Sequence, residues 1–237
     1  MMKHFGIWCA MMIALVANAA DATPPLETYG RLPGFEMAAI SPSGKRVAIV
    51  GVVGNERQLI VVEDGTPIYT GNIGDTKLRS LDWAGEGQVL VRISMTIELG
   101  IGFTANRAEL SNMFVLHIDS KTLWPVFGKY SKVTGGISGF FGTYQRDGVY
   151  YGYFSGMTLS QGMGGSYLSS GDPGLYEVNL ATQKTRLISG RTADQEDWRD
   201  WLVGPDGTVA AMLDYYSLRS KWRITNTQRQ EIASGSS

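Results

Sequence analysis

The chain has 237 residues, of which 43% are hydrophobic and 18% charged. That apolar share can fill a sizeable core, which excludes wholesale disorder. The 21 basic and 22 acidic residues leave a net charge of −1, so neither nucleic acid nor an anionic membrane surface is an expected partner. The 30 Gly follow no three-residue period, so they mark turns rather than a collagen helix.

Residues 1–19 read as a secretory leader. Lys3 and His4 form a short polar start, Phe5 to Val16 is apolar, and Ala17-Asn18-Ala19 gives a small-x-small cleavage pattern. The apolar run is shorter than the roughly 20 residues a bilayer span needs. The expected location is therefore periplasmic or secreted, with cleavage after Ala19 and no membrane association afterwards. The single cysteine, Cys9, lies inside this leader, so the mature chain must be held by its core rather than by disulfides.

Residues 20–237 repeat a pattern of short apolar runs separated by Gly, Asp, Pro and Ser turns. In the first copy, runs at 37–40 and 47–50 flank Ser41-Pro42-Ser43-Gly44, and runs at 59–62 and 67–70 flank Glu63-Asp64-Gly65. The second has runs at 78–83, 89–93, 113–118 and 123–127. The third turns at Arg146-Asp147-Gly148 and closes with 175–180 and 185–188. The fourth turns at Gly204-Pro205-Asp206-Gly207 and closes with 222–224 and 231–233. Insertions at about 94–111 and 155–174, containing Gly100-Ile101-Gly102 and Gly162-Met163-Gly164-Gly165, are expected to be loops. They are the best functional candidates, because binding groups concentrate on loops over a rigid scaffold. One short helix is expected over 192–199, with Thr192 as N-cap and Gln195 reciprocal to it.

The expected fold class is all-β, with β-propeller blades in about four four-stranded repeats at 29–72, 73–130, 131–190 and 191–237. A β-sandwich is the alternative. Closure as four blades and an incomplete propeller both stay open. An incomplete ring would expose blade edges and favour self-association.

The segment Tyr29-Gly30-Arg31-Leu32-Pro33-Gly34-Phe35-Glu36, followed by Ser41-Pro42-Ser43-Gly44-Lys45, resembles the opening of secreted bacterial peptidases of the prolyl oligopeptidase and dipeptidyl peptidase family. Leu81-Asp82-Trp83-Ala84-Gly85 and Leu175-Tyr176-Glu177-Val178 resemble its later blades. The resemblance implies an N-terminal propeller that gates peptide access to a C-terminal α/β-hydrolase with a Ser-Asp-His triad. No position here matches the triad motifs, and family propellers have seven or eight blades. Some relatives bind a substrate amino terminus with paired glutamates on a short propeller helix. The corresponding stretch here is Asp194-Gln195-Glu196-Asp197-Trp198, which is acidic without a Glu-Glu pair.

The residues themselves point the same way. A nucleophile elbow needs Gly-x-Ser-x-Gly, and the nearest stretch, Gly136-Ile137-Ser138-Gly139-Phe140, fails on spacing. The mature chain has one histidine, His117, in an apolar strand pattern, and a triad or a zinc centre needs more than that. No cofactor and no metal are expected. Asp194, Glu196, Asp197 and Asp200 form the densest acidic cluster and are read mainly as a solvated face, with Asp194, Glu196 and Asp197 as the candidate ligand-facing residues. Tyr150, Tyr151, Tyr153, Tyr215, Tyr216 and the tryptophans are expected mostly in the core. The functional expectation is a non-catalytic propeller portion of a peptidase-like protein. The alternative is a stand-alone propeller that binds a peptide or protein partner.

Overall fold

The structure, a computed structural model, describes residues 34–98, 105–162, 165–190 and 197–236. The leader lies outside these residues. The chain forms four sheets, each an antiparallel meander of four consecutive strands. Blade 1 holds β1 (Phe35–Ile40), β2 (Arg46–Val53), β3 (Glu56–Glu63) and β4 (Thr66–Asn72). Blade 2 holds β5 (Lys77–Ala84), β6 (Gln88–Glu98), β7 (Arg107–His117) and β8 (Thr122–Pro125). Blade 3 holds β9 (Gly139–Arg146), β10 (Val149–Gly162), β11 (Gly165–Asn179) and β12 (Thr185–Ser189). Blade 4 holds β13 (Asp197–Val203), β14 (Val209–Tyr216), β15 (Lys221–Asn226) and β16 (Glu231–Ser236).

Because side chains alternate across a strand, an inner blade must be apolar on both faces. Strand β6 does this with consecutive residues. Val89 and Val91 pack towards Ala48, Val50, Leu59 and Val61 of blade 1. Leu90 lies between them in sequence and packs with Phe154, Tyr176 and Val178 of blade 3. Tyr153 and Leu175, from the other face of blade 3, meet Trp201 and Met212 of blade 4. Each of the three hydrophobic clusters thus joins neighbouring blades, in chain order.

Polar contacts fix the same junctions. Trp83 Nε1 donates to Ala39 O at 2.9 Å, and Ser43 N and Oγ donate to the two Glu86 carboxylate oxygens at 2.6 and 2.9 Å. His117 Nε2 lies 2.8 Å from Leu180 O, bridging blades 2 and 3. The turn glycines also serve the junctions. Gly207 has φ +76°, and a Cβ there would meet the Tyr153 hydroxyl and come within 2.8 Å of the Tyr144 ring. Glycine is required on both counts, by conformation and by the neighbouring blade.

The two end blades each carry an uncovered apolar face. On blade 1 the register aligns Ala38, Ile49 and Ile60 in one row and Ile40, Val47 and Val62 in the next. Ile40 is 67% exposed. On blade 4 it aligns Trp198, Tyr215 and Trp222, then Leu213 and Ile224, then Leu202 and Ala211. Leu202 is 64% exposed, and Trp198 stacks on Tyr215 with ring centroids 5.6 Å apart. Among the described residues no hydrophobic cluster joins blade 4 to blade 1, so the four sheets do not close.

Two expectations need correction. Apart from Ala105 and Asn106, the described parts of both insertions are strand, not loop, and 99–104 and 163–164, with Gly100 and Gly102, lie outside the described residues. Strands β6 and β7 stay paired out to Glu98 and Arg107, and β10 and β11 out to Gly162 and Gly165. Continued cross-strand hydrogen bonding satisfies backbone groups that a loop would leave to water. Asp197, Trp198 and Arg199 belong to β13 and not to a helix, because they pair with Tyr216, Tyr215 and Asp214. The rest of the proposed helix lies outside the described residues. Gly139 and Phe140, the end of the stretch nearest to an elbow motif, open β9. The aromatics lie mostly in the core, as expected: Tyr153, Trp124 and Trp201 are buried and Trp83, Tyr150 and Tyr151 pack against the clusters, whereas Trp198 is exposed.

Each of the last two blades contains an acid between arginines. Asp214 takes Arg199 at 2.5 Å and Arg223 at 3.3 Å. Glu177 takes Arg186 at 2.9 Å, Arg146 at 3.3 Å and the Tyr153 hydroxyl at 2.8 Å. Burial is the largest influence on both carboxyls and pushes them up. The arginine hydrogen bonds and charges outweigh it, and both groups sit below the usual carboxylate range. A carboxyl whose folded value is depressed stabilises the fold above its unfolded value of about 4 and loses that contribution as the pH falls below it. Urea melts should therefore show stability falling from pH 5 to pH 3. Glu177→Gln and Asp214→Asn should flatten that fall, and an unchanged slope would contradict it.

Candidate functional site

The blades bring three innermost regions together at one end of the sheets. Register defines that end. Ser155 pairs with Gly139 and Ser94 with Lys77, so it is the end from which the extended hairpins β6–β7 and β10–β11 project. A cavity of about 320 Å³ opens there. Blade 2 supplies Arg92, and blade 3 supplies Ser138, Phe140, Phe141 and Ser155. Pro173, on β11 at the base of the longer hairpin, adds part of the wall, and blade 4 supplies Arg199, Asp200 and Trp201.

Two hydrogen-bond donors in this lining have no acceptor. Trp201 is 6% exposed, and its Nε1 is buried without a partner. Arg92 Nε is also buried without one. So is Oγ of Ser80, the residue opposite Arg92 on β5. A buried donor left unmade costs about 1–3 kcal/mol, and each of these atoms is sealed from solvent as well as unpaired. Two other polar groups of the lining are engaged. Arg199 is held by both oxygens of Asp214, at 2.5 and 2.9 Å. Asp200 Oδ1 accepts the Trp201 backbone N–H at 2.9 Å.

The lining is mixed, with Phe140, Phe141, Pro173 and Trp201 beside Ser138, Ser155 and the charged Arg92, Arg199 and Asp200. A few charged groups among aromatic walls is the composition that ligand pockets commonly show. A second cavity, of about 450 Å³, lies at the opposite end, between blades 2 and 3, and contains His117. Its imidazole is already committed to Leu180 O and lies 6.3 Å from the Trp124 ring, so it fastens two blades together. Among the described residues no group of three or more His, Cys, Asp or Glu is placed to hold a metal ion.

Of the residues singled out in the sequence, Asp194 and Glu196 lie outside the described residues. Asp197 is 7% exposed at the start of β13, so it does not belong to a solvated face. Asp200, three residues on, is the acid that reaches the cavity. Sequence reasoning missed Arg92 and Trp201. The available signal was one arginine interrupting the aliphatic run Val89-Leu90-Val91-Arg92-Ile93.

No family model matches the chain, and no curated protein matches it. Solved structures do. TolB from Acinetobacter baumannii is 12% identical with a TM-score of 0.40, over 82% of this chain and 41% of that one. A prolyl endopeptidase is 13% identical with a TM-score of 0.46, over 85% of this chain and 30% of that one. The β-propeller domain of the Trilobed protease from Pyrococcus furiosus is 9% identical with a TM-score of 0.27, over 86% and 67%. The chain spans less than half the length of the first two. At these values the likenesses concern architecture only, and the propeller assignment rests on the four consecutive meanders and their face-to-face stacking.

Proposed function

We propose that these blades are the non-catalytic propeller portion of a periplasmic prolyl oligopeptidase-like serine peptidase, and that they gate peptide access to a C-terminal α/β-hydrolase. The observation that carries this reading is the opening segment Tyr29 to Glu36 with the Ser41-Pro42-Ser43-Gly44-Lys45 turn behind it. The uncovered apolar faces of blades 1 and 4 support it, because such faces need further blades or a partner to bury them. The test is to read the DNA beyond codon 237 in all three frames. Further blade repeats followed by a Gly-x-Ser-x-Gly elbow are expected. A stop followed by unrelated sequence would overturn the assignment. The purified chain should cleave no prolyl peptide substrate, and triad-type hydrolysis by it would contradict a non-catalytic role.

A second reading, a stand-alone periplasmic propeller that binds a peptide or protein, is favoured by one observation. The cavity at the end of blades 2, 3 and 4 is lined by side chains of this chain alone, charged and aromatic together.

A further inference from the structure

We infer that the outer edge of blade 4 binds an extended acidic peptide, which adds as a further strand beside β16 and sets two carboxylates against Lys221 and Arg223. Strand β16 is the outermost of its sheet and pairs with β15 alone, so its second edge offers main-chain N–H and C=O groups to another strand. A cavity of about 530 Å³ opens along it, lined by Arg219, Lys221, Trp222 and Arg223 together with Ser234, Gly235 and Ser236 of β16. Arg219 and Lys221 are exposed, and among the described residues neither has an ion-pair or hydrogen-bond partner. Arg223 lies over the Tyr216 ring at 5.6 Å and touches Asp214 at 3.3 Å, with its side chain 43% exposed. The chain as a whole carries a net charge of −1, so this concentration of cations is local to the edge.

Register selects the ligand. Lys221 lies opposite Ser236, and Arg223 lies opposite Ser234. Both pairs project from one face, because their residues stand two apart on each strand. The serines are short, so the long cationic side chains reach across β16 towards the next strand position. Lys221 and Arg223 are roughly 7 Å apart along β15, and alternate residues of an added strand repeat at that same spacing. Two glutamates separated by one residue therefore match both cations, in charge-assisted contacts. The next residue of β16 on that face is Glu231, opposite Thr225. It repels a third carboxylate and so fixes the register. On the other face Trp222 lies across Gly235, within 2.7 Å of where a Cβ would stand. The residue between the two glutamates meets that aromatic surface, which suits an apolar side chain. A compact anion such as phosphate uses neither the spacing of the cations nor the free main chain.

The experiment is calorimetric titration of the purified chain with a capped heptapeptide of order Thr-Val-Glu-Val-Glu-Val-Thr, its counterpart with both Glu replaced by Gln, and inorganic phosphate. The acidic peptide should bind, and the Gln peptide should bind roughly 5-fold or more weakly, since it lacks two ion pairs of the partly exposed kind. Phosphate at matched ionic strength should not compete. Lys221→Gln and Arg223→Gln should each weaken the acidic peptide several-fold and leave the Gln peptide unchanged. Melting within a few degrees of the parent confirms that each variant folds, and Lys221→Gln removes no contact of the folded chain. Hydrogen exchange reports the main-chain pairing, and amides of β16 should exchange several-fold more slowly with the acidic peptide bound. Equal binding of the two peptides, no binding of the acidic one, phosphate competition, an unaltered affinity in Lys221→Gln, or unprotected β16 amides would each overturn the inference. The peptidase assignment depends on the downstream reading frame, so either can fail alone.

Discussion

Replacing Phe154 with alanine is expected to lower the stability of the chain by about 3–5 kcal/mol. Phe154 is fully buried at the junction of blades 2 and 3. Its ring stacks on Phe140 at 5.3 Å and meets Phe127 edge-on at 6.3 Å. The cavity left behind would be lined by side chains of two sheets, and neither sheet can collapse into it without breaking register with its own strands. Leu187→Ala is the matched control. Leu187 is an exposed residue on the outermost strand of the same blade, and its loss should cost within about 0.5 kcal/mol. Urea denaturation of the two variants gives the comparison, and equal losses would contradict the assignment of Phe154 to the core.

Replacing Glu177 with alanine should cost about 3 kcal/mol, the lower end of the range for breaking a buried ion pair. The lower end applies because Arg146 and Arg186 are partly exposed and water can hydrate them once the carboxylate is gone. The buried Tyr153 hydroxyl has no such recourse, since Glu177 is its acceptor. Adding Tyr153→Phe to the Glu177→Ala background should therefore recover part of the loss, whereas Tyr153→Phe alone should destabilise. Such non-additivity is what a shared network predicts. Additive losses in denaturation experiments would show that the two residues act separately.

Much of the fold was legible because turns and strands use different residues. Gly44, Gly65, Gly148 and Gly207 all adopt positive φ, as the turn sequences around them implied. The β-branched and aromatic runs between them pair in consecutive meanders. The extended hairpins were not legible. Their Gly, Ser and Met content lacks the apolar alternation that marks a strand, because those segments extend beyond the blade core. The short helix failed for a related reason. Asp197 and Arg199 look helical in a polar window, yet Arg199 is drawn into β13 by Asp214 on the neighbouring strand, a partner fifteen residues away. The cavity was least legible of all. Arg92, Phe140 and Trp201 lie on three blades, and nothing local in the sequence says that β6, β9 and β13 converge.

The central structural claim is that four blades form an open arc whose end faces stay uncovered. The mature chain is expected to lack cysteine, so two labelling sites can be introduced cleanly. Spin labels at Ile40→Cys and Leu202→Cys report the separation of the blade 1 and blade 4 faces by pulsed electron resonance. The account predicts a separation well beyond the roughly 10 Å at which stacked sheets pack, with both sites freely labelled in the folded protein. A narrow distribution at the sheet-packing distance, with both cysteines protected from reagent, would mean that the ring closes on itself and would contradict the account.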